Sequence, residues 1–240
     1  MTTAAPTHRA LTLVIFGASG TTGRAAIAQA RARGHTVHAV DHTPPQYTTD
    51  DPGIIHHIAD VLNDDLRPMV RDADAVLSCL GVGNDAQTLL APPPIYTKGT
   101  AAICDAMEAE GVTRLIVISA SFVEDRTRGP IWFRLPAMAA LHRVIEQMTQ
   151  MEQDLRQRPA IDWTAVRPGW LMEGNETGDY VVQADVIPAD MIRTRHADLA
   201  HFMVRLAEGT DWLRATPAIA RHEPASASSP AAVADEILRS

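Results

Sequence analysis

Residues 11–23 read LTLVIFGASGTTG, and this stretch decides the fold. Leu11 to Phe16 is a continuous apolar run of strand length, the pattern of a strand buried on both faces of a parallel sheet. The glycines that follow, Gly17, Gly20 and Gly23, fall at the spacing G-x-x-G-x-x-G between that strand and a helix-forming segment. Each glycine has its own physical role. Gly17 allows the tight turn, Gly20 lets the backbone approach a pyrophosphate, and Gly23 lets the helix pack closely. Ser19, Thr21 and Thr22 lie between them in the same cradle. The free N–H groups and positive end of the helix face the phosphates.

The same strand, turn and helix order continues outward. Helix is expected from Thr22 to Arg33, with Gly34 just past its end. Strands are expected at Val37–Val40, Ile54–Ile58, Ala75–Leu80, Leu115–Ser119 and Asp162–Val166, and helices at Asn63–Arg71, Thr97–Glu110 and Ala137–Arg156. This alternation specifies an α/β fold, a Rossmann-type doubly wound parallel sheet with right-handed crossovers. Beyond Gly169 the regularity fades. Strands at Tyr180–Ile187 and Trp212–Ile219 and a helix at Asp198–Glu208 are read as a small C-terminal substrate cap. Residues 1–221 then form one domain, with cap elements from about 170, and 222–240 a flexible low-complexity tail.

The chain has 240 residues, 46% hydrophobic and 21% charged, enough to bury roughly 70% of its unfolded surface as a single domain. No apolar run approaches 18 residues, so no transmembrane helix is expected. The first ten residues lack the apolar core of a signal peptide. A net charge of -8 argues against nucleic acid and for a small-molecule partner. Cys79 and Cys104 have no metal-ligand spacing and fit a reducing, cytoplasmic setting, with no metal site. His56 and His57 are adjacent in a strand and point to opposite faces. Monomer and small homo-oligomer are both compatible with the sequence.

Asp41 follows the second strand, 18 residues after Gly23, near the usual ~20-residue spacing of an acid that binds the adenosine ribose. A carboxylate there repels a 2′-phosphate, which favours NAD over NADP. Arg24 and His42 stand where they could meet that phosphate instead. Asp60, with the Val61 N–H beside it, is placed to meet adenine, and equally to cap the helix expected from Asn63. Leu80 and Gly81, after the fourth strand, pass the middle of the cofactor.

These segments, together with EGVTRLIVISASF, IDWTAVRPGWL and ADLAHFMVRL, resemble the atypical short-chain dehydrogenases/reductases of the NAD(P)H-binding, NmrA-like type, and within it the flavin reductase and biliverdin-IXβ reductase group. The resemblance covers about residues 11–207. It implies that Pro168 and Gly169 line the nicotinamide edge and that Ser121, with Ser119, lies where many relatives keep a catalytic serine. Relatives of the flavin reductase group usually end the second strand with arginine; here Asp41-His42 stands there.

One compositional oddity bears on mechanism. Of the 21 basic residues, Lys98 is the single lysine. The superfamily's usual Tyr-x-x-x-Lys pair works because an ammonium lowers the tyrosine pKa, and Tyr96 is two residues from Lys98, not four. Candidate proton donors are therefore Ser121, His142, Tyr180 and Asp85, or water. Hydride transfer to an electron-poor acceptor, dinucleotide sensing without turnover, and a non-redox or isomerising reaction on the same fold all stay open. Phe122, Trp132, Phe133 and Trp170 fall in loops after the fifth and sixth strands and would suit a planar ligand. Arg126, Arg128 and Arg134 could hold an anionic group on it. Pro92–Pro94 and Arg126–Pro136 are long enough to act as lids.

Overall fold

A computed structural model describes residues 9–44, 50–83, 85–127, 131–224, 226–227 and 229, the side chains of 86 and 131–140 excepted. The apolar run at the start of the chain forms β1 (Thr12–Phe16), whose last four residues are completely buried. Its side chains alternate between two cores, as the period of a strand requires. Val14 and Phe16 join a cluster with Ile103, Met107, Met151 and Trp163, while Leu13 and Ile15 join another with Ala26, Ala30, Leu199 and Met203. Helices α4 (Thr100–Glu110) and α5 (Ile131–Arg156) therefore cover one face, and α1 (Thr21–Ala32) and α6 (His196–Ala207) the other.

With β2 (Thr36–Asp41), β3 (Ile54–Ile58), β4 (Ala75–Ser78), β5 (Arg114–Ile118), β6 (Asp162–Pro168), β8 (Val181–Ala184) and β10 (Pro217–Ala220), the sheet runs β3-β2-β1-β4-β5-β6-β10-β8. Strands from β3 to β10 pair in parallel and β8 closes the edge antiparallel to β10. The chain steps outward from β1 to β3, then returns to β4 on the other side of β1. That reversal opens a crevice at the carboxyl ends of β1 and β4, the place where such sheets bind ligands.

The doubly wound parallel sheet is as the sequence implied, with local differences. The expected helix at Asn63–Arg71 shrinks to α2 (Arg67–Val70), because residues 60–64 close a turn and Pro68 fits only the first helical turn. Helix α4 starts at Thr100, after a π-helical turn over Ile95–Gly99. Pro92–Pro94 is no lid: the Pro94 carbonyl accepts from the N–H of Lys98 and Gly99, and that of Pro92 from Gln147. The short α3 (Ala86–Leu90) is an addition to the expected elements. Helix α5 begins at Ile131 and runs through Pro136, so the second expected lid is helical over its last six residues; residues 128–130 lie outside the described ones.

Much of the region expected as a cap completes the sheet instead. β10 and β8 extend it, and α6 packs on α1. The expected strand at Trp212–Ile219 is cut short because Trp212 and Arg214 adopt left-handed backbone, φ 57° and 54°. Only the parallel pair β7 (Trp170–Met172) and β9 (Arg193–Arg195) forms a separate small sheet, beyond the end of β6. The expected tail starts with an anchored residue: buried Glu223 takes Arg195 at 2.6 and 2.9 Å and Arg221 at 2.8 Å. Residues 230–240 lie outside the described ones. Among the described residues no helix is long and apolar enough to cross a membrane.

The arginine bias also has a structural use. Arg114 donates to the Leu206 and Asp162 carbonyls and the Thr164 hydroxyl, and Arg214 to the carbonyls of Arg158 and Ile161. These multiple, planar contacts close the C-terminal ends of α6 and α5, which a single ammonium cannot do.

Candidate dinucleotide site

The site is built where β1 ends. Gly17 has φ +73°, and a Cβ there would lie 2.6 Å from the Cys79 carbonyl oxygen at the end of β4. Only glycine allows both the turn and the close approach of the two strand ends. A Cβ on Gly23 would lie 2.1 Å from the Gly17 carbonyl oxygen, so this glycine lets α1 pack against the turn itself. Gly20 differs: it is exposed, and a Cβ there would meet nothing closer than the Gly17 oxygen at 3.4 Å. Its missing side chain is not needed for the fold.

Helix α1 starts from Gly20 with no side-chain cap and no acidic residue in its first turn. Uncapped N–H groups at an exposed helix start, over a bare glycine, fit the pyrophosphate of a dinucleotide. Ser19 and Thr21 are exposed on this rim, while Thr22 is buried. Arg24, also exposed, turns its guanidinium back to the Ser19 carbonyl.

Asp41, the last residue of β2, reaches this turn. Its Oδ2 accepts from the Ser19 N–H at 2.9 Å and the Ser19 hydroxyl at 2.6 Å, and its Oδ1 from the His42 N–H at 2.8 Å. Burial disfavours its charge, but the hydrogen bonds from Ser19 and Thr43 and the nearby His42 ring outweigh that and hold the carboxyl below its usual range. A fixed anion thus borders the cradle. The His42 side chain is itself exposed and touches Asp41 at 3.0 Å.

Asp60 is engaged locally. Its carboxylate accepts from the Leu62 N–H at 2.9 Å and the Asn63 amide at 2.6 Å, bonds that lower its pKa. The structure thus favours the turn-capping role. Val61 is buried against Gly99, whose Cβ would lie 2.8 Å from its methyl group. Leu80 and Gly81 follow β4 at the mouth of the crevice, and space beside Gly81 is open. At the end of β6, the Pro168 carbonyl accepts from Ser121, and a Cβ on Gly169 would lie 2.8 Å from the Ile192 oxygen. These two residues join β6 to β9.

The expected catalytic groups each have a partner within the protein. Ser119 is 2% exposed and donates to Glu152 at 2.7 Å; Ser121 is 1% exposed and donates to the carbonyls of Arg167 and Pro168 at 3.1 and 2.8 Å. Both hydroxyls face inward as braces. His142 lies on the solvent side of α5, paired with Glu146 at 3.1 Å. The Tyr180 hydroxyl meets His201 Nδ1 at 2.7 Å, and burial pushes its pKa up to about 12. Asp85 caps α3 through the Thr88 N–H at 2.9 Å. Burial likewise pushes both cysteine thiols up to about 12.

What the sequence reading missed is the group behind these serines. Arg167 and Glu152, each with a side chain 1% exposed, form a two-pronged ion pair at 2.9 and 2.6 Å. Arg167 also reaches Glu124 at 3.0 Å and the Asp185 carbonyl at 2.9 Å. An arginine between Val166 and Pro168, at the end of a strand read as buried, was the signal available. Of the expected aromatic pocket, Phe122 and Trp170 do come together, packed with Ile145 and Leu141 of α5. The side chains of Trp132, Phe133 and Arg134, and all of Arg128, lie outside the described residues.

The crevice, the bare glycine turn and the uncapped helix define a Rossmann-type dinucleotide-binding protein. Residues 17–210 match the family model for NAD(P)H-binding proteins, and the chain belongs to that family. The resemblance carried by the sequence motifs is borne out at this level. An uncharacterized chloroplastic protein of Arabidopsis thaliana is 26% identical over 179 residues, 71% of this chain. The chain spans 63% of that relative's length. Two solved structures share the fold: a candidate NAD-dependent epimerase/dehydratase of Bacillus halodurans, with TM-score 0.72 and 20% identity over 94% of this chain and 99% of that one, and a candidate NADH-flavin reductase of Streptococcus pneumoniae, with TM-score 0.70 and 18% identity over 88% and 100%.

Proposed function

We propose that the protein is an NADH-preferring reductase of a planar, conjugated small molecule such as a flavin, quinone or enone. Bound nicotinamide supplies hydride. The glycine turn and the start of α1 hold the pyrophosphate. Asp41, kept ionised by Ser19, accepts from the ribose hydroxyls and repels a 2′-phosphate, which supports NAD over NADP. Phe122 and Trp170 offer an apolar wall for a flat acceptor.

The observation that carries the choice of acceptor is the engagement of every expected acid inside the protein or away from the crevice. Lys98 is exposed and Tyr96 buried, so they form no working pair. A reduction run this way takes its proton from water, which suits an acceptor whose conjugation stabilises the anion left by hydride transfer. The likeness to an NADH-flavin reductase structure agrees with this reading.

The same observation favours a second reading, a dinucleotide sensor that binds without turnover. Loss of NADH absorbance with riboflavin, quinone and enone acceptors, alongside direct measurement of NADH and NADPH binding, separates the two. Turnover on one acceptor class with tighter NADH than NADPH supports the reductase. Tight binding without turnover on any acceptor establishes the sensor, and tighter NADPH overturns the role given to Asp41.

A further inference from the structure

We propose that His196, the first residue of α6, is a positioning residue for the dinucleotide: it holds the first turn of α1 through Thr22 and, when protonated, sets a positive charge behind the pyrophosphate cradle. His196 Nδ1 lies 2.7 Å from the Thr22 hydroxyl. Thr22 is buried, and its own N–H belongs to the uncapped first turn of α1. The contact joins residues 174 positions apart, and α6 packs along α1 more extensively than any other pair of elements touches. Gln29, further along α1, donates to the Ala197 carbonyl at 2.8 Å, a second tie between α1 and the start of α6.

The charged groups around the imidazole define its response. Glu173, after β7, favours the protonated ring, and Arg24 of α1 opposes it. Asp198, in the same helical turn, is taken by the Thr177 and Gly178 N–H groups, and Arg195 by Glu223. Burial is the largest influence and disfavours the charged ring in the free protein. A bound pyrophosphate adds negative charge beside the turn that Thr22 belongs to, which favours the imidazolium. Binding then takes up a proton, and affinity rises as pH falls toward the free-state pKa.

The inference rests on the dinucleotide site and not on turnover, so binding alone tests it. NADH is titrated into the full chain calorimetrically at about pH 6.5 in two buffers of different ionisation heat, and its Kd is followed from about pH 8 to about pH 5.5. The expected result is net proton uptake and about fivefold tighter binding at the acid end. His196→Asn keeps a group able to bond Thr22 and should bind as the unaltered protein does at alkaline pH, with no uptake and a flat profile. Thr22→Val should weaken binding throughout. His42→Asn, the exposed imidazole beside Asp41, should leave the slope in place. A slope retained by His196→Asn, lost in His42→Asn, or absent from the unaltered protein overturns the inference. Failure of NADH to bind at any pH overturns the cofactor site along with it.

Discussion

Replacing Glu152 by alanine removes the carboxylate that grips Arg167 with two hydrogen bonds at 2.9 and 2.6 Å. It leaves a guanidinium 1% exposed with Glu124 and the carbonyl and carboxylate of Asp185 as its remaining partners among the described residues, and takes from Ser119 the acceptor of its hydroxyl. Breaking one side of such a buried pair costs about 3–5 kcal/mol. The Glu124 and Asp185 contacts hold the loss toward the lower end. For a chain of this size each kcal/mol lowers Tm by roughly 2–4 °C, so the melting point should fall by about 6–12 °C. Glu152→Met with Arg167→Met exchanges both charges for apolar volume and should recover most of that loss, because no unpaired charge is left inside. Ser119→Ala should cost about 1 kcal/mol and leave acceptor reduction unchanged. Urea unfolding of Glu152→Met, Arg167→Met and the double variant gives the coupling energy directly. A Glu152→Ala loss under about 1 kcal/mol, or no coupling between the two sites, refutes the view of this pair as the central brace. Loss of turnover in Ser119→Ala without loss of stability returns that serine to the catalytic role the motif implied.

Other consequences are simpler to check. Gly20→Val should fold, because its Cβ meets only the Gly17 oxygen at 3.4 Å, yet lose at least about tenfold in NADH affinity; retained affinity moves the phosphate site elsewhere. Gly23→Ala should instead lower stability as well, since its Cβ falls 2.1 Å from that oxygen, whereas Gly81→Ala, with open space beside it, should melt as the parent does. The imidazoles of His57, His196 and His201 all have pKa values lowered chiefly by burial. The unfolded chain therefore binds their protons first, so stability is full above the unfolded value near 6.5 and declines as pH falls through the folded values. His57 also has the His38 ring centre 5.0 Å away, with a ring nitrogen of each lacking a partner; His57→Gln should flatten part of the acid loss seen in melting curves. Asp41→Asn should narrow the gap between NADH and NADPH affinity, and an unchanged gap assigns selectivity to another residue.

How much of this was legible in the sequence depended on how local the cause was. The turn after β1 is specified by three glycines within seven residues, and the structure gives each a steric reason. The buried strands β1, β4 and β5 could be read because both faces are covered, which makes all but one position of each apolar. Boundaries failed where a local conformation cut a pattern short, as at Trp212 and Arg214, or where a helix tolerated Pro136. The pairing of β8 and β10 escaped for a different reason: both lie within segments read as strands, but nothing in four residues says which strand they will pair with.

The site divides the same way. Sequence alone marked the glycine turn, the acid after the second strand and the lack of a Tyr-x-x-x-Lys motif, since each is a matter of residue type at fixed spacing along the backbone. Tertiary structure decided what the polar side chains do. Ser119 meets a carboxylate 33 residues away, Arg167 one 15 residues away, and Thr22 an imidazole 174 residues away. Whether a hydroxyl faces a substrate or a buried partner depends on which distant side chain occupies the space in front of it, and in this fold packing of α5 and α6 against the sheet fills that space.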